Sequence, residues 1–494
     1  MERLSRARRV RALYRCWPAA GVVAALGLSP AAQADDIADL QREMKDMQRH
    51  YDAELKRLQS SYEARLRRLE AKLKQAETKP SAAPKQEAST ISSAAPPQPL
   101  ADPPQGQLPN SYPALAPAAA TEPAPAVAPG GAAAQAGSFN PAIGIVLQGK
   151  ASYFGKNPDS YFVRGFPLGD EAGPGRRGLS LGESEINFQA NADPYLFGNL
   201  TLSIDPDNHV SIEEAFIQST SLPGGLTLRA GRFFSGIGYL NEQHSHTWDF
   251  ADQALPYRVF LNTQYDDDGV QLRWLAPTTQ FLELGGEVFR GTAFPAGGPA
   301  HVGFGTFSLF AHTGGDIDDS SSYRTGLSWL HTNAHNRTTS VSNAPDDTFT
   351  GHSETLIYDT VFKWAPNGNP VEQNLKLQGE LFAHYDDGKF NLVPLAGWST
   401  GFYVQAAYQF MPRWRVGARY DQVLGNRQSG PLAGSTVDNL GTTARRASAM
   451  LEYNTSEFGR FRLQYNRDWS RGAPDDQAIL QYVISLGAHG AHLF

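Results

Sequence analysis

From residue 143 to Phe494 the chain repeats one pattern, in which segments of about ten residues alternate apolar and polar side chains between turn signals. Successive residues of a strand face opposite sides, so such alternation puts one face against an oily medium and the other against water. In GFYVQAAYQF, residues Phe402, Val404, Ala406, Tyr408 and Phe410 share one face and Tyr403, Gln405 and Gln409 the other. Repeated and closed on itself, this pattern predicts an all-β fold: a transmembrane antiparallel barrel with a wet lumen. Strand segments are expected near 143–154, 179–191, 195–205, 208–219, 225–234, 268–276, 280–290, 303–314, 322–332, 353–364, 374–385, 398–410, 414–424, 444–455, 459–469 and 478–494. That makes a 16-stranded barrel over 139–494.

The links sort by parity. Asp193-Pro194, Leu222-Pro223-Gly224-Gly225, Ala276-Pro277, Met411-Pro412-Arg413 and Ser456-Glu457-Phe458-Gly459 are tight turns. Links of the other phase are longer, at 155–178, 235–267, 333–352, 386–397 and 425–443, with Asp205-Pro206-Asp207 a short exception. A barrel with its N-terminus in the periplasm has short periplasmic turns and long outer loops. In the last segment Leu480, Tyr482, Ile484, Leu486, Ala488 and Gly490 share a face with the terminal Phe494, although His492 interrupts it.

Three segments precede the barrel. Residues 1–34 combine an Arg-rich start, a short apolar run and the ending Ala32-Gln33-Ala34, the pattern of a cleaved secretory signal. The single cysteine, Cys16, lies in it, so no disulfide or thiolate chemistry is expected of the mature chain. Over 35–77 an apolar stripe runs through Ile37, Leu40, Met44, Met47, Tyr51, Leu55, Leu58, Tyr62, Leu66, Leu69 and Leu73. Its spacing of about 3.7 residues from Tyr51 to Leu73 predicts a coiled coil. A stripe so narrow needs partner chains, the alternative being a helix that lies on the chain's own barrel or on a membrane; either way the helix is expected in the periplasm. Residues 78–138 are Pro/Ala/Gln-rich and are expected to be a disordered linker.

Taken together, the chain resembles the phosphate-selective porins O and P, with the local likeness carried by SIEEAFIQSTSLPGGLTLRAGRFFSGIGY at 211–239. The resemblance implies a trimeric outer-membrane channel whose third outer loop folds inward. Phosphate selectivity is not carried over. From residue 139 onward acidic residues outnumber basic ones, and the lysines there are only Lys150, Lys156, Lys363, Lys376 and Lys389. NEQHSHTWDF and the ending SLGAHGAHLF also look like proteobacterial outer-membrane proteins linked to zinc supply. Some of those are labelled TonB-dependent receptors, a type that needs about 22 strands and a plug.

The longest outer link, 235–267, is therefore expected in the pore. It carries Glu242, His244, His246, Asp249, Asp252 and Arg258, then Asp266, Asp267 and Asp268. His244 and His246 can face one way in an extended chain and are the candidate metal ligands for zinc. The competing reading is a pair of solvated loop residues. Further histidines (His301, His312, His331, His335, His352) fall in or beside outer links. Strand residues expected to line the pore are Arg415, Arg419, Arg460, Arg462, Glu183 and Glu185, with Glu283 and Glu287, either creating a transverse field or pairing with one another. The acid runs at 266–268, 318–319, 346–347, 386–387 and 475–476 are expected at strand ends, hydrated or bridged to lipopolysaccharide by cations.

The expected function is a water-filled channel for small hydrophilic solutes or ions in the Gram-negative outer membrane, in contact with lipid and lipopolysaccharide. The alternatives are a specific uptake channel or receptor for zinc, a metal chelate or siderophore, and a structural tether reaching the cell wall through the coiled coil. No cofactor is expected. No enzyme constellation or phosphate-cradling glycine loop is present in the sequence, and no basic stripe for nucleic acid.

Overall fold

The computed structural model describes residues 141–298, 302–339 and 347–487. The signal, coiled-coil and linker segments, His301, Asp346 and the chain end from Ala488 to Phe494 lie outside the described residues.

Seventeen paired segments form one sheet. Gly178–Leu181 and Ser184–Asn191 both pair antiparallel with Ala142–Phe154 and are one strand broken at Gly182 and Glu183, so the barrel has 16 strand positions. In chain order they are β1 (Ala142–Phe154), β2 (the broken strand), β3 (Leu196–Ile204), β4 (Val210–Ser219), β5 (Leu226–Phe234), β6 (Asp266–Leu275), β7 (Phe281–Phe289) and β8 (Thr306–Asp318). There follow β9 (Ser321–Thr339), β10 (Asp347–Trp364), β11 (Asn374–Phe390), β12 (Val393–Met411), β13 (Trp414–Leu424), β14 (Ala444–Ser456), β15 (Gly459–Asp468) and β16 (Asp475–Gly487). Each strand pairs antiparallel with its neighbours in the chain. β16 pairs with β1 from Gly144↔Gly487 to Phe154↔Gln477, which closes the sheet and leaves no edge.

The faces follow the alternation. On β12, Tyr403, Gln405, Ala407 and Gln409 are buried inside while Val404 is 51% exposed outward. Leu309, Leu327, Leu381, Leu463 and Leu480 are likewise exposed on the outer face, as a lipid-contacting wall requires. The break in β2 leaves few backbone groups orphaned: Gly182 N donates to Gln148 O (2.9 Å) and Gln148 N to Ser184 Oγ (3.2 Å). A Cβ at Gly182 would stand 2.6 Å from the Gln148 Cβ, so only glycine permits this approach.

Two expected outer loops are instead strand. The expected links 333–352 and 386–397 are largely paired, because β9, β10, β11 and β12 run to 19, 18, 17 and 19 residues. About 9–11 residues suffice to cross a bilayer, so these hairpins project beyond it. The β11–β12 hairpin closes through Asn391 (φ 48°) and Leu392 (φ 67°), a two-residue turn of the primed kind. Asp386 and Asp387 consequently sit within β11 rather than at its end, and Asp266–Asp268 and Asp475–Asp476 open β6 and β16. His312, His331 and His352 also lie on strands. His312 faces Glu283 (3.2 Å) and His331 faces Glu354 (2.7 Å).

Candidate pore constriction

The β5–β6 connection does not extend away from the barrel. Ser235 N donates to Tyr265 O (3.0 Å), and the Asn241 amide bonds Ser235 O, Tyr265 O and Tyr265 N at 2.7–2.9 Å, stapling the base of the loop. The chain then crosses the lumen, and every residue from Trp248 to Leu261 is buried. Its helix α1 (Leu255–Leu261) begins with Pro256 in the first turn and ends at Asn262 in the left-handed region. Tyr257, Val259 and Phe260 join the apolar cluster of Phe382, Tyr403 and Val423 on the inner wall. The β1–β2 link packs on the same helix, with Phe166 edge-on to Phe260 at 5.7 Å.

Glu380 on β11 fixes the loop from below. It accepts from Tyr257 Oη (2.8 Å), Tyr403 Oη (2.6 Å) and the backbone N–H groups of Tyr239 and Leu240 (3.2 Å each). Tyr257→Phe is expected to lower stability in detergent by about 1–3 kcal/mol, since it removes one of these bonds and strips Leu240 N of another acceptor. Equilibrium unfolding in urea checks this.

Most of the expected pore charges meet at the far wall. Asp249 pairs with Arg415 (2.8 Å) and Lys376 (3.1 Å). Asp252 contacts Arg419 (2.6 Å), Arg446 (2.9 Å), Gln464 (2.7 Å), Asn466 (3.0 Å) and Arg258 (3.4 Å). Burial alone would raise both carboxyls, but the facing cations overcome it. Lys376 and Arg415 hold Asp249, and Arg446, Arg419 and Arg258 hold Asp252, well below the usual carboxylate range. Arg462 pairs with Glu452 (2.6 Å) and donates to Trp248 O (2.7 Å), while Arg460 donates to His246 O. Thus Arg415, Arg419, Arg460, Arg462, Asp249, Asp252 and Arg258 are brought together, as a buried network that fastens the loop. Arg446, Asp421, Glu452, Lys376 and Glu380 belong to it and were not singled out in the sequence, although inward parity on their strands marks each of them.

The acidic expectation is met on the opposite side, at β2 and β4. A register shift in the β3–β4 pairing, from Thr201↔Glu214 to Leu202↔Ile212, makes Glu213 a bulged residue. Consecutive carboxylates Glu213 and Glu214 then both reach His244. His244 Nδ1 lies 3.3 Å from Glu185 Oε2 and 3.3 Å from Glu213 Oε2, and its Nε2 lies 3.2 Å from Glu214. Burial opposes a charge on this ring, but Glu213 and Glu185 prevail and its pKa stands well above the ordinary imidazole value. His246 Nδ1 lies 2.8 Å from Glu185 Oε1, and the two rings stack at 5.7 Å. The structure therefore gathers His244 with Glu185 and Glu213 as the group able to hold a cation, and places His246 behind Glu185. Glu183 accepts from Ser203 Oγ (2.8 Å). Glu242 pairs with Arg273, which also faces Glu283 at 3.6 Å.

Among the described residues, the inward charged groups that keep partial exposure include Lys150, Glu183, Glu213, Glu242, His244, Glu283, Arg324, Lys363, Lys376, Asp386 and Arg415. They mark the remaining aqueous path, acidic at β2–β4 and mainly basic at β9–β13.

No family model matches the chain. It is 29% identical over 346 residues to an uncharacterized protein of Aquifex aeolicus (strain VF5), covering 65% of this chain and 71% of that one. Similar solved structures include an anion-selective porin from Comamonas acidovorans (10% identity, TM-score 0.44, 70% of this chain and 98% of that chain). Others are OmpF of Salmonella typhi in complex with daunomycin (12%, 0.44, 70% and 97%) and OprB of Pseudomonas putida at high pH (11%, 0.42, 70% and 94%).

Proposed function

We propose that this protein is an outer-membrane porin through which small hydrophilic solutes or ions diffuse, with the 235–265 segment as its constriction. The observation that carries the reading is a closed barrel, apolar outside and polar inside, whose longest connection is anchored within the lumen by buried ion pairs. A loop secured at that cost in desolvation serves the lumen rather than the outer surface. The path retains charges of both signs, which orients dipolar solutes and opposes strong selection for either ion. Most of its arginines already face Asp249, Asp252, Asp421 or Glu452, which argues against phosphate as the preferred solute. A homotrimer with periplasmic coiled coils belongs to the same proposal, supported by the narrow apolar stripe at 35–77. Swelling of proteoliposomes in isosmotic pentose, amino acid and disaccharide solutions tests it. Faster swelling for the smaller solutes is expected, and liposomes that stay as tight as protein-free ones with every solute would end this reading.

A further inference from the structure

We propose that Glu185, Glu213 and His244 form a binding site for one divalent transition-metal cation, of the zinc class, in the acidic wall of the lumen. The inference goes beyond diffusion of solutes and needs only the loop's position inside the barrel. The three ligand atoms lie within 4.8 Å of one another, and the two histidine–carboxylate separations are 3.3 Å. Ligands bound tetrahedrally at 2.0–2.2 Å stand about 3.3–3.6 Å apart, so a cation fits between these atoms with little movement.

Two further observations point to a ligand. His244 Nδ1 and Glu213 Oε2 face each other at 3.3 Å outside hydrogen-bond geometry, and neither makes a hydrogen bond elsewhere, although the Glu213 side chain is only 9% exposed. Buried polar atoms rarely go unused. The groups behind the site are also arranged for metal binding. Glu214 takes the Nε2 side of His244 at 3.2 Å, which leaves Nδ1 directed at the cluster, where a bound cation would take the place of its proton. Glu185 offers one oxygen to the cluster and its other to His246 Nδ1. The bulge at Glu213 supplies the second carboxylate, which regular alternation would have turned to lipid. An imidazole beside two carboxylates favours a borderline-soft cation over magnesium or calcium, which prefer all-oxygen sets. With its side chain 22% exposed, His244 leaves a path from the lumen to the remaining coordination position.

The test uses the full chain, purified in detergent, stripped with chelator and titrated with zinc chloride by calorimetry. One zinc per chain is expected for the wild type. Glu213→Gln and His244→Ala should each weaken it at least about tenfold, and Glu214→Gln by about 10–100-fold. Asp207→Asn, on a distant outer turn, should leave it unchanged. Crystals of the wild type soaked in zinc should show an anomalous peak between the three side chains, a readout that survives any failure of the variants to fold. Absence of zinc binding by the wild type, unchanged affinity in folded Glu213→Gln and His244→Ala, or an anomalous peak only elsewhere would overturn the proposal. Because solute flux is measured separately, loss of the metal site leaves the channel reading standing.

Discussion

Replacing Asp252 with alanine is expected to release the inner loop from the wall, giving larger and noisier single-channel currents and a lower unfolding midpoint. Asp252 faces three guanidinium groups and two amides in a region where Arg446 has no exposure at all. Removing one member of such a network leaves buried cations without their counter-charge. Arg446 and Arg419 keep Asp421 (2.6 and 3.0 Å), but Arg258 loses the one carboxylate placed against it among the described residues. The cost is about 3–5 kcal/mol, or roughly 10²–10⁴ in the balance between anchored and released loop. Asp249→Ala should act in the same direction and more weakly, since Arg415 retains Glu452 at 3.1 Å and the cation that loses its carboxylate, Lys376, is partly exposed to the lumen. Equal currents and equal midpoints for wild type and Asp252→Ala would show that these pairs do not hold the loop.

The same network fixes the sign of the acid response. Because the folded-state pKa of Asp252 is depressed, its stabilisation is fully present above the unfolded value of roughly 4. It is lost only as pH falls through the lower folded value. The Asp252 pairs should therefore hold the loop at pH 4 as they do at pH 7, so Asp252→Ala should enlarge and roughen the currents equally at both values.

The other large effect lies on the outer face. Leu463, midway along β15 and 54% exposed, should tolerate phenylalanine, whereas Leu463→Arg should lose about 2–4 kcal/mol of stability in lipid. The flanking Arg462 and Gln464 point inward and are almost fully buried, so a single step along the strand changes the surroundings from hydrocarbon to an ion-pair network. Unfolding from lipid vesicles measures the difference. If Arg and Phe at this position unfold alike, the outer face does not contact hydrocarbon.

The barrel was legible because a lipid boundary forces period-two alternation on each strand, and this survives in β13, β14 and β15 with boundaries near those expected. The overhanging hairpins were not. Beyond the bilayer both faces meet water, the alternation fades, and the β11–β12 turn uses Asn391-Leu392 in place of a glycine-marked pair. The inward course of 235–265 came from resemblance alone, since nothing local in NEQHSHTWDF states which way a loop folds. Once it is inside, inward parity accounts for its partners Arg419, Arg462 and the overlooked Arg446. Glu213 had no such signal. Its contact with His244 depends on a one-residue bulge, a property of the pairing between two strands that neither strand's own sequence announces.

The most direct test is planar-bilayer recording of the purified, detergent-folded chain in 1 M potassium chloride, with Asp252→Ala alongside. Discrete wild-type current steps, enlarged in the variant, are what a water-filled barrel narrowed by an anchored loop produces. A protein whose folding is verified but which leaves the bilayer at baseline conductance in both forms would contradict that description.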